Sequence, residues 1–80
     1  MELFYTIADA ASAAARKAVM DLGLLAEVRF RNLYYPEVRD ALAERGGGDV
    51  PALWDGTRLH EGIDAIRAVL SSVAAARARS

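Results

Sequence analysis

Between Glu2 and Asn32 the chain switches its hydrophobic period twice, and that double switch restricts the possible folds more than any other feature. "ELFYT" (Glu2 to Thr6) is a short apolar and aromatic run without strict alternation, as in a strand covered on both faces. From Asp9, "DAASAAARKAVMDLGL" places Ala11, Ala15, Ala18 and Leu22 at helical spacing and stops at Gly23. "EVRFRN" then alternates, with Val28 and Phe30 on one face and Arg29 and Arg31 on the other, as in a half-exposed edge strand. A strand, a helix and a strand in succession form a crossover, whose right-handedness makes the two strands parallel. Asp9 is the expected N-cap, its carboxylate accepting from the N–H of Ala11 or Ser12 at the positive end of the helix dipole. The alanine-rich face lets this helix approach a sheet closely.

The second half adds a different unit. Pro36 at a first helical position opens "PEVRDALAERGGG", with Val38 and Leu42 on one face, Arg45 against the negative helix end, and glycines as terminators. "VPALWDGTRLHE" reads as two strands joined by Asp55-Gly56. A type I′ turn there would pair Thr57 to His60 with Ala52 to Trp54. "IDAIRAVLSSVAAARA" aligns Ile63, Ile66, Leu70 and Val73 on one helical stripe, and "ARARS" is a basic end expected to fray. The order predicts an α/β fold, β-α-β-α-β-β-α, with a four-stranded mixed sheet flanked by helices. Within it, Pro51 lacks an N–H where a strand ladder should begin. It either starts an edge of the sheet or presents backbone to a ligand or partner.

Composition removes several kinds of chemistry. Eighty residues, 54% of them apolar and 26% charged, suit a single globular domain over residues 1–80, with room for one small core. With a formal net charge of −1 the chain offers no general attraction to nucleic acid or to an anionic membrane. No apolar run is long enough to cross a bilayer and "MELFYTIAD" lacks a basic leader segment, so the expected location is cytoplasmic. There is no cysteine, hence no disulfide, thiolate metal site or thiol catalysis, and His60 is the single histidine.

The chain resembles the glutaredoxins, small members of the thioredoxin-fold superfamily, and more loosely the N-terminal domain of glutathione transferases. "LFYT" followed by a helix ending "DLGL" is similar to the family's first strand and active-site helix. "DVPALWDGTRLHEG" is similar to its Val-Pro strand and the turn after it, with Val50 and Pro51 in the Val-Pro positions. "EGIDAI" is similar to the opening of its last helix, with Gly62 at the second glycine and Asp64 at the first aspartate. The resemblance implies a cis Val50–Pro51 bond, beside which a cysteinyl segment of glutathione or of a protein pairs like an added strand. It also implies that Asp9 and Ser12 stand where the family has its two cysteines. No lysine or arginine falls where the family binds glutathione carboxylates; Arg39 and Arg45 are the alternatives, and their expected place is an exposed helix face.

These readings converge on a ligand site formed by Asp9, Ser12, Val50, Pro51, Gly62, Ile63 and Asp64. Its expected role is redox-inactive binding of an extended peptide or protein partner. Glutathione is a weaker candidate ligand, at a Kd of about 1 mM or roughly 4 kcal/mol. A transferase-like enzyme using Ser12, and a purely structural domain, are the alternatives. Ser12 serves either as an activated hydroxyl or in local hydrogen bonding. Asp64 is either part of a clasp for an α-amino acid group or a second helix cap. Tyr34 and Tyr35 are expected to pack at a strand-to-helix junction, His60 to face solvent, and Trp54 to pack in the core or hairpin.

Overall fold

The computed structural model describes residues 1–79 and carries seven elements in the expected order. They are β1 (Glu2–Tyr5), α1 (Ala10–Asp21), β2 (Arg29–Asn32), α2 (Pro36–Glu44), β3 (Ala52–Trp54), β4 (Leu59–Glu61) and α3 (Ile63–Ala78). The sheet runs β2-β1-β3-β4, with β1 parallel to β2 and antiparallel to β3, and β3 antiparallel to β4. Because β1 is internal, its alternate side chains enter different cores. Leu3 joins Ala15, Val19, Ile66 and Leu70 beneath α1 and α3, while Phe4 joins Val38, Leu42 and Ala52 beneath α2. This order and sheet are compatible with a thioredoxin-like fold. Among the described residues no helix is long and apolar enough to cross a membrane.

Local detail corrects the sequence reading in four places. The buried face of α1 is Ser12, Ala15 and Val19, whereas Leu22 is exposed and Ala11 and Ala18 are half-buried. Val19 supplies volume that the alanines lack, so the helix turns that residue inward. In the hairpin, Trp54 faces Leu59 and Leu53 faces His60, so the turn centres one residue later than Asp55-Gly56. Asp55 keeps a negative φ and Gly56 alone takes +106°. The Asp55 carboxylate instead organises the turn, Oδ1 accepting from the N–H groups of Thr57 and Arg58 at 2.7 Å each. Arg45, the C-cap of α2, turns off the helix end to meet Glu2 at 3.1 Å and lies 4.3 Å above the Trp54 ring. Finally, α3 persists through Ala78, with Arg77 donating to the Gly23 carbonyl at 3.0 Å and to Glu27 at 3.2 Å; Ser80 lies outside the described residues.

Glycine does specific work after α2. Gly46 (φ +84°) reverses the chain while its N–H and that of Gly47 donate to the carbonyls of Ala43 and Leu42, both at 3.0 Å. This closure presses Gly47 against the second core, where a Cβ would stand 2.5 Å from Leu59 Cδ2 and 2.6 Å from Leu42 Cδ1. Leu42 is buried, so it has little room to retreat. Gly47→Ala is therefore expected to cost about 1–3 kcal/mol by overpacking. Gly48→Ala, with open space around its Cβ position, should stay within about 0.5 kcal/mol of the parent. Chemical denaturation of the two variants checks the contrast.

Candidate functional site

The strand register gathers one rim of the sheet from four segments: the residues after β1, after β2, before β3 and after β4. α1, α2 and α3 all begin on this rim. Every residue expected in the ligand site lies along it, in two groups.

In the first group, Asp9 caps α1, its Oδ2 accepting from both the N–H and the hydroxyl of Ser12 at 2.8 Å. The Ser12 oxygen in turn accepts from the Thr6 N–H at 3.3 Å. Ser12 is fully buried, at 0% exposure. Its hydroxyl therefore fastens the β1–α1 loop to the helix, and no face of it is open to a substrate.

The second group surrounds Pro51. The Val50–Pro51 peptide bond is cis, Pro51 is buried, and its carbonyl accepts from the Gly62 N–H at 3.0 Å. Gly62 (φ +90°) is the N-cap of α3, Ile63 is half-buried against the first core, and Asp64 is exposed in the first helical turn. Asp64 makes no capping hydrogen bond, so of its two alternatives the side-chain cap is not formed; its charge lies at the positive end of the helix dipole. Among the described residues, neither the N–H nor the C=O of half-buried Val50 has a hydrogen-bond partner. No hydrogen bond joins the Asp9–Ser12 group to the Pro51–Gly62 group among these residues.

The rim also carries a cavity that the sequence reading did not find. It measures about 570 Å³ and is lined by Thr6, Ile7, Ala8, Asn32, Leu33, Tyr34 and Tyr35. Tyr34 is 78% exposed, Ile7 70% and Tyr35 50%, so the tyrosines stand out from the junction they were expected to fill. Their rings are 5.3 Å apart at 87°, forming a notch. The Leu33 N–H donates to the Tyr5 carbonyl at 3.0 Å, and Asn32 and Arg39 fasten the loop further through four bonds. Asn32 accepts from the Tyr34 N–H through its side chain (2.9 Å) and from the Tyr35 N–H through its backbone (3.2 Å). Arg39 donates to the carbonyls of Leu33 (2.8 Å) and Tyr34 (3.2 Å). The signal in the sequence was Asn32 ahead of Tyr35-Pro36: an Asx turn, then a residue forced into extended backbone by the proline, leaves no buried face for two adjacent rings.

Outside the rim, His60 does not face solvent: it is half-buried, with Nε2 2.8 Å from Asp55 Oδ2. That bond, with those from the Arg58 and Thr57 N–H groups, holds the Asp55 carboxyl far below its usual range. Trp54 packs against the second core, as expected. No group of three or more potential metal ligands occurs among the described residues. No protein-family model, curated protein or solved structure matches the chain.

Two expectations follow. Ser12→Ala should lower stability by about 1–3 kcal/mol, since it strips a partner from Thr6 and from Asp9 in a closed site; thermal or chemical denaturation checks this. For Asp55 the folded carboxyl lies below the unfolded value of about 3.9. Its contribution is fully present above that pH and disappears as pH falls toward the folded value, where the unfolded chain binds more protons. Asp55→Asn keeps an oxygen for the turn but no titrating group, so its Tm should fall less steeply with acidification below that pH than the parent's.

Proposed function

We propose that the protein is a redox-inactive, glutaredoxin-like binding module that takes an extended segment of a partner alongside Val50. The observation that carries this reading is the unpaired N–H and C=O of Val50, half-buried next to cis Pro51 at the mouth of β3. Backbone groups in such a place are normally satisfied, and an extended chain satisfies both at once by adding a strand-like pair. The Pro51–Gly62 hydrogen bond fastens the start of β3 to the start of α3 beside this opening. Thiol exchange is absent from this function because the chain has no cysteine to supply a thiolate.

The transferase-like alternative loses support from the burial of Ser12 and from the engagement of its hydroxyl with Asp9. Glutathione is a poor ligand for this rim, since its carboxylates would meet Asp9 and Asp64 without a cation assigned to them. Arg39 is occupied by loop carbonyls and Arg45 by Glu2.

Displayed random dodecapeptides selected on the domain should yield binders that shift the Val50 and Gly62 amides in NMR titrations. Binders that leave those amides unmoved, or a selection that enriches none, would overturn the reading. Glutathione, reduced or oxidised, is expected to shift Val50 and Gly62–Asp64 only at about millimolar concentration or above. Disulfide reduction should stay at the buffer level.

A further inference from the structure

Independently of the opening at Val50, we infer that the free edge of β2 is an interaction surface that takes an acidic, extended segment of a partner protein as a fifth strand. β2 ends the sheet, and its ladder to β1 fixes which of its backbone groups are left over. The N–H groups of Arg29 and Leu33 donate to the carbonyls of Met1 and Tyr5 at 2.8 and 3.0 Å, so alternate residues from Arg29 face β1, while Phe30 and Asn32 face outward. The Asn32 carbonyl is taken by the Tyr35 N–H. The N–H and C=O of Phe30 and the N–H of Asn32 remain for an added strand. A cavity of about 400 Å³ lies against this strand, with Tyr35 and Glu37 completing its wall.

The arginines of β2 decide what fills the place. An added strand sets its side chains directly opposite those of β2, about 5 Å away between Cβ atoms. Arg29 and Arg31 share one face; Arg31 meets Glu2, whereas Arg29 is exposed and forms no ion pair among the described residues. On the other face Arg16, 4.6 Å above the Tyr5 ring, has no acidic partner among these residues either, and its buried Nε donates to nothing. A second copy of the chain is a poor occupant. Two-fold antiparallel registers within β2 set Arg29 against Arg31, or Arg31 against itself, and like charges directly opposite are unfavourable. Glutamate or aspartate at alternate positions of a partner segment turns those same contacts attractive.

The neighbouring acids do not fill this role from within. Glu2 is shared by Arg31 and Arg45, Asp21 is paired with Lys17, and Glu27 with Arg77. α2 carries Glu37, Asp40 and Glu44, all exposed, and among the described residues none forms an ion pair with Arg29 or Arg31. Glu37, in the cavity wall, opposes an acidic segment, and Arg39, on the carbonyls of Leu33 and Tyr34, adds a cation just beyond β2. The preference therefore comes from the arginines in direct register with the added strand, rather than from net charge.

The test uses three decapeptides in which threonine alternates with glutamate, serine or lysine, titrated into the labelled protein and followed by amide NMR. The glutamate peptide is expected to shift the Phe30 and Asn32 amides, and the lysine peptide to shift neither. Raising the salt from 50 to 500 mM should weaken the glutamate peptide several-fold. Arg29→Gln should weaken it about two- to five-fold, and Arg29→Glu should turn the preference toward lysine. Both variants alter an exposed side chain without an ion pair, so Tm should stay close to the parent's. Two further glutamate peptides carry N-methyl groups on all threonine amides or on all glutamate amides. One set faces β2, and its methylation should abolish the shifts.

Equal shifts from the serine and glutamate peptides would overturn the acidic partner and leave strand addition standing. Shifts kept by both methylated peptides would overturn strand addition. Shifts at Val50 with Phe30 and Asn32 unmoved would overturn this surface while supporting the Val50 opening. Silence from all three parent peptides at several millimolar, or preference for lysine, would overturn the inference outright.

Discussion

The burial of β1 on both faces and along both edges is the constraint on which the remaining structure depends. Leu3 and Phe4 are adjacent in the chain yet belong to different cores. Each core must then be closed by its own helical layer, α1 with α3 on one side and α2 on the other. A shift of one residue in the register of β1 would exchange those two side chains between layers shaped for different volumes. The parallel pairing with β2 and the antiparallel pairing with β3 follow from satisfying both rows of β1 backbone groups. Glu2 adds a polar fastening on the α2 face, where it meets Arg31 of β2 and Arg45 at the end of α2.

That architecture also explains why chemistry collects at one rim. The central strand points its C-terminal end there, and the three helices start there, so helix-start N–H groups accumulate in one place together with the Asp9 cap and the first-turn acids Glu37 and Asp64. The rim is polar for structural reasons before any ligand is considered. Asp9 and Ser12 belong to this scaffolding: they stabilise the start of α1 and close the loop beneath it. Val50 and the tyrosine notch differ, because their polar groups or ring faces are left open after the scaffold is complete.

The element order, the edge position of β2 and the N-cap at Asp9 were legible in the sequence because each depends on local rules: hydrophobic period, capping geometry and crossover hand. The hairpin register was less legible. Asp55-Gly56 suits a turn in which both residues take positive φ, but here the Asp55 side chain captures two N–H groups and shifts the turn by one residue. The rotation of α1 by roughly one position was hidden too, since an alanine face gives almost no contrast between neighbouring stripes. At the candidate site, the positions of Asp9, Pro51 and Gly62 on a common rim came from the resemblance to glutaredoxins. The burial of Ser12 and the exposure of Tyr34 and Tyr35 depend on how loops close in three dimensions, which spacing along the chain does not encode.

The link from Arg77 to Gly23 and Glu27 joins residues 54 and 50 positions apart and lies near the end of α3. Closing a contact of that separation carries a loop-closure cost that local contacts do not. Until α3 docks, Ile66 and Leu70 are missing from the first core, and Leu3, Leu24 and Leu53 form an open apolar layer on the sheet. The interval before that docking is when the chain is most exposed to aggregation. The arginine clasp fastens the far end of the helix to the loop between α1 and β2, so a contact remote from the ligand rim adds a modest weight against the opening that would uncover this apolar face.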